Sequence, residues 1–125
     1  MLDGELTGRI NAAAIEVHRT IGPGLLESAY QVCLAHELKL RGLHFEKELK
    51  LPISYKGVTA ESGYRLDFLV ERRVIIEVKA CAAIEDVHTA QLLTYLRLSG
   101  HRVGLLYNFH SPKLMTSRGL KRVVI

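Results

Sequence analysis

From Ser62 to Lys79 the chain reads SGYRLDFLVERRVIIEVK, a strand, the tight turn Glu71-Arg72-Arg73 and a second strand. Phe68, Leu69 and Val70 on one segment and Ile75, Ile76 and Val78 on the other leave neither face polar. A hairpin of that kind is covered on both sides, so it belongs in the middle of a layered fold. Into this apolar pair the sequence places Asp67, Glu77 and Lys79. Counting outward from the turn, Val70 faces Val74 and Asp67 faces Glu77. Opposed Cβ atoms lie about 4.5–5.5 Å apart, and two carboxylates at roughly 5 Å repel by about 3 kcal/mol at an effective dielectric near 20. A positive charge is needed between them. Lys79, two residues beyond Glu77, projects from the same face of its strand because side chains alternate with period two. The amine can neutralise one acid, and a pair of oxygen donors at this spacing also suits a hard divalent cation such as Mg²⁺ or Mn²⁺. Taken alone, the three residues equally fit a cross-strand salt bridge on a half-solvated sheet. The apolar neighbours weigh against that, because buried charge requires a compensating partner.

The flanking segments supply the layers. Leu6, Ile10, Ala13, Val17 and Ile21 recur at spacings of three and four, which predicts an amphipathic helix from Asp3 to Thr20. Ile21-Gly22-Pro23-Gly24 breaks it, and a second helix is expected from Leu25 to Leu40, closed by Arg41-Gly42. Three β segments follow as an antiparallel meander, Phe45 to Tyr55, Ser62 to Val70 and Val74 to Lys79. Helical spacing returns from Ile84 to Leu98, then Val103 to Phe109 reads as a buried strand and Leu120 to Ile125 as an edge strand. The order is ααβββαββ, an α/β (α+β) arrangement with a mixed central sheet flanked by helices.

A length of 125 residues with 48% hydrophobic content fits one domain spanning residues 1–125. The formal charge of +4 is compatible with a polyanionic partner and does not demand one. Cys33 and Cys81 form no CxxC and sit among apolar residues, so they are expected to be buried, reduced thiols in a reducing compartment. No apolar run approaches membrane-spanning length. A soluble, cytoplasmic protein with no membrane partner is the expectation.

An Asp, a short turn and then Glu-x-Lys on the next strand resembles the PD-(D/E)xK nuclease superfamily. Its αβββαβ core is the order above without the first helix and last strand, a restriction-endonuclease-like fold. Leu66 stands where the motif's name has Pro. Gly24-Leu25-Leu26-Glu27-Ser28-Ala29-Tyr30 spells GxxExxY, the signature of one branch of that superfamily. The similarity to that branch extends through Val17-His18, Gly22-Pro23-Gly24, Tyr55-Lys56-Gly57, Gln91-Leu92-Leu93 and Gly104-Leu105-Leu106. The resemblance implies a metal-dependent nuclease acting on DNA or RNA, with Mg²⁺ or Mn²⁺ held by Asp67, Glu77 and the backbone carbonyl of Val78. It makes Lys79 the amine that positions or activates the attacking water, and Glu27 a carboxylate near the metal, binding directly or through water. On residues alone Glu27 is a first-turn helix acid, favoured there by the dipole, and Tyr30 a core residue.

His88, Gln91 and Tyr95 share one side of the third helix. Some superfamily members carry Q-x-x-x-Y there, which implies that Gln91 orients the amine or a water and that Tyr95 contacts a substrate phosphate. His88 and Tyr30 are the further candidates for substrate contact, and His18 is read as structural. Lys113, Arg118, Lys121 and Arg122 serve either phosphate binding or protection of an edge strand. Many members of the superfamily dimerise, so a homodimer or larger complex is a further expectation. A non-catalytic nucleic-acid-binding or assembly module that keeps the nuclease fold is the alternative function.

Overall fold

A computed structural model describes all 125 residues apart from the side chain of Ser62. The elements are α1 (Gly4–Ile21), α2 (Glu27–Leu40), β1 (Phe45–Tyr55), β2 (Val58–Val70), β3 (Val74–Lys79), α3 (Asp86–Ser99), β4 (Val103–Asn108) and β5 (Leu120–Val124). They follow the expected order, with β2 starting four residues earlier than the sequence suggested. The chain turns from α1 into α2 through Gly24, whose φ of +117° is a conformation that a side chain would resist.

The sheet holds five strands in chain order. All neighbours run antiparallel except β3 and β4, which are parallel and joined by α3 as the crossover. One face packs against α1 and α2: Ile10, Ala14, Leu34 and Leu38 meet Phe68, Val70, Ile76, Val78, Leu105 and Tyr107. The other packs against α3: Leu92, Tyr95 and Leu96 meet Leu69, Ile75, Leu106 and Val123. Every residue from Val74 to Val78 is therefore buried, and β3 is the central strand that the hairpin composition called for.

Gly104 sets how closely α3 approaches. A Cβ there would lie 2.6 Å from Cδ1 of the fully buried Leu92. Gly104→Ala is expected to push α3 off the sheet and to destabilise by about 1–3 kcal/mol. In thermal melting that is a fall of roughly 3–10 °C, and an unchanged melting temperature would show that the helix has room to spare.

The turn between β2 and β3 is tighter than three residues. Glu71 and Arg72 are both left-handed, at φ 51° and 55°, and the Arg73 N–H donates to the Val70 carbonyl at 3.0 Å. Arg73 is then the extra residue, so Val70 still pairs with Val74, Leu69 with Ile75 and Phe68 with Ile76.

Along the β1–β2 ribbon the faces exchange. Phe45 and Phe68 belong to the α1/α2 side, and Lys47 Nζ sits 5.7 Å from the Phe68 ring centroid. Leu49, Leu51, Tyr64 and Leu66 instead belong to the α3 side. The change falls at Glu48, which has φ 58° and is passed over in the pairing together with Asp67, the residue the register sets opposite it. Strict alternation does not hold across this point, because a left-handed residue rotates the strand about its own axis. The ribbon beyond it folds its apolar face over α3.

Candidate active site

At Asp67 and Glu77 the β2–β3 ladder ends, and side chains take over from backbone. The last pair is Phe68 with Ile76. The Val78 N–H, which would donate to β2 in the next rung, donates to Asp67 Oδ2 at 2.8 Å. The Asp67 N–H, released from β1 by the irregularity at Glu48, donates to Glu77 Oε1 at 3.4 Å. Each acid thus satisfies a peptide group on or beside the other's strand. Among the described residues the Val78 peptide has no ladder partner on β2.

The two carboxyls are perturbed as such a position demands. Glu77 is only 6% exposed, and burial, then the neighbouring Asp67 charge, push its pKa up to about 9. Burial also raises the Asp67 carboxyl, against the opposing pull of the Val78 N–H, Glu77, Lys79 and Arg65. A shared proton therefore relieves the pair when no cation is present. Besides the backbone N–H groups, the only hydrogen-bond partner of each carboxyl among the described residues is the other carboxyl. Two hard oxygen donors close together, beside an unpaired peptide carbonyl, match the chemistry of a divalent-cation site completed by water.

Lys79 ends β3. Its charge lowers the pKa of both acids, yet among the described residues it joins neither in an ion pair. The amine is near the pair without being consumed by it. Tyr95, on α3, is buried and packs edge-on against Tyr64 with ring centroids 4.9 Å apart. Burial, followed by the charge of Glu77, raises its hydroxyl to about 12, so it stays a neutral donor. Gln91 is half-buried one helical turn earlier on the same side of α3.

Three other candidates have different places. Tyr30 was expected toward substrate, but it is 0% exposed. Its hydroxyl donates to the Gly22 carbonyl at 2.6 Å and accepts from the Leu25 N–H at 3.1 Å, while its ring stacks on Phe109 at 4.8 Å. It fastens the glycine turn to the core. His88 was likewise expected toward substrate; its Nδ1 accepts the Glu85 N–H at 3.0 Å and closes the first turn of α3. Glu27 is the half-buried first residue of α2. Among the described residues no group of three His, Cys, Asp or Glu is placed to hold a metal. His18 is structural as read, bonded through Nε2 to the Ser111 carbonyl at 2.7 Å. Cys33 and Cys81 are free and half-buried, less enclosed than expected.

Arg65, which the sequence offers with Arg72, Arg73 and Arg97 as an unranked basic candidate, lies close enough to lower the pKa of Asp67. One participant escaped the sequence reading. Asn108 is fully buried and pairs in register with Lys79. The only hint of it was an amide at the end of an apolar run.

A family model described as the PD-(D/E)XK nuclease superfamily matches residues 4–123. Searches of curated proteins and of solved structures give no match.

Proposed function

The chain belongs to the PD-(D/E)XK nuclease superfamily, and on that premise we propose that it is a Mg²⁺- or Mn²⁺-dependent phosphodiesterase of the GxxExxY branch that cleaves nucleic acid, DNA in the first place. The observation that carries this reading is the reciprocal exchange at the end of the ladder, with Val78 N–H on Asp67 and Asp67 N–H on Glu77. Asp67, Glu77 and the Val78 carbonyl are the residues that would hold the ion. A bound divalent cation supplies Lewis acidity toward the scissile phosphate and lowers the pKa of a water.

The chain's own groups do the rest. Lys79 places a fixed positive charge beside the attacking water and the phosphate, where it costs no reorganisation as charge develops. Gln91 orients that water or the amine through its amide. Tyr95, kept neutral by its surroundings, donates its O–H to a phosphate oxygen. Glu27 acts at a distance, through water, from the first turn of α2. No helix among the described residues is long and apolar enough to cross a membrane, and two free thiols suit a reducing compartment; we place the protein in the cytoplasm.

The test is a cleavage assay on single- and double-stranded DNA and on RNA, with Mg²⁺, with Mn²⁺ and with EDTA. Cleavage by the wild-type protein that needs the metal is the expected result. Binding of nucleic acid without cleavage of any of these substrates would favour the non-catalytic module.

A further inference from the structure

We propose that Asn108 is the positioning residue for Lys79, fixing the end of β3 so that the amine stays beside the acid pair. Lys79 is the last residue of its strand, where a chain leaving a sheet ordinarily frays. Here it does not leave freely. The Phe109 N–H donates to the Lys79 carbonyl at 2.9 Å. Two residues further on, the Asn108 amide takes both backbone groups of Cys81: Oδ1 accepts its N–H at 3.1 Å, and Nδ2 donates to its carbonyl at 2.9 Å. One side chain thereby makes an extra rung beyond the parallel β3–β4 ladder.

The remaining capacity of the amide is also used. Oδ1 accepts the His110 N–H at 3.2 Å, and Nδ2 reaches the Arg118 carbonyl at 3.4 Å. His110 in turn donates from Nε2 to the Leu25 carbonyl at 2.7 Å, two residues before Glu27. The network therefore joins the strand end that carries Lys79 to the turn that precedes Glu27.

Only a neutral side chain with an acceptor and a donor on one plane fits. Asp would turn an acceptor toward the Cys81 carbonyl, and an apolar residue would leave both Cys81 groups unpaired. Both polar atoms of the amide are committed to backbone groups. Its effect passes through Lys79.

The proposal rests on the nuclease reading, so its test includes a measurement that needs no turnover. Asn108→Ala, with Asn108→Ser as the milder variant should the first not fold, is expected to lower kcat by about 10–100-fold with KM nearly unchanged. In a Lys79→Ala background the same substitution should cost no further activity. Independently, the ¹³C-dimethylated Lys79 signal should shift on Glu77→Gln in otherwise wild-type protein and stay still on Glu77→Gln in Asn108→Ala. Equal losses of activity in both backgrounds, or a Lys79 signal that responds to Glu77→Gln just as strongly without Asn108, would overturn the assignment. If the wild-type protein cleaves nothing, the nuclease reading fails and the NMR comparison alone decides.

Discussion

Lys79→Ala is expected to lower metal-dependent cleavage by about 10²–10³-fold, the scale found when one preorganised charge or donor is removed from a developing anion. The substitution should do little to folding, because the amine joins no ion pair with the acids among the described residues. Metal binding should survive it, since oxygen atoms and not the amine form the candidate donor set. Asp67→Asn should cost at least as much activity for a different reason. It exchanges an anionic donor for a neutral one and weakens the hold on the cation, so excess Mn²⁺ should recover part of the loss. Lys79→Ala offers no such recovery. Steady-state kinetics over a metal titration separates the two. Full activity in both variants would sink the catalytic reading, and recovery of Lys79→Ala by metal would reassign the amine to metal affinity.

Glu77→Gln should stabilise the metal-free protein increasingly as pH rises. A carboxyl whose pKa is raised from 4.5 to about 9 holds its proton more tightly folded than unfolded. Across that window the native state binds more protons than the unfolded one, so stability falls with rising pH. The cost is small near pH 5 and reaches a few kcal/mol by pH 8. For a chain of this length that is a gap of roughly 10 °C in melting temperature between variant and wild type. Mn²⁺ should close most of that gap. Ligation displaces the shared proton and stabilises the wild-type protein by about 2.7 kcal/mol at a hundred times Kd, while the variant gains little. Cleavage at limiting metal should correspondingly rise from pH 7 toward pH 9, as the acid pair gives up its proton to water and is free to bind the cation. A Mn²⁺ shift of equal size in Glu77→Gln would place the ion elsewhere.

Most element boundaries were legible because they are local. Periods of 3.6 and 2 mark which residues must be buried together, and Gly24 and Gly100 mark where helices cannot begin or continue. The pairing of Val70 with Val74 followed from counting, and it survived a turn of another type because Arg73 bulges. Tyr30 and His88 were harder. Both lie at helical spacings that suit a site equally well, and only the Gly22 carbonyl eight residues back and the Glu85 N–H three residues back show that their polar atoms are already committed.

The sequence by itself determined the helices, the strands and the pairing of β2 with β3 outward from the turn, because those follow from spacing along the chain. Tertiary structure decided the rest. The left-handed turn at Glu48, the end of the ladder at Asp67 and the Asn108 bonds to Cys81 and Arg118 join segments between 10 and 27 residues apart. Such contacts depend on how strands twist and pack in space, and no periodicity records which peptide groups a twisted sheet leaves without a partner.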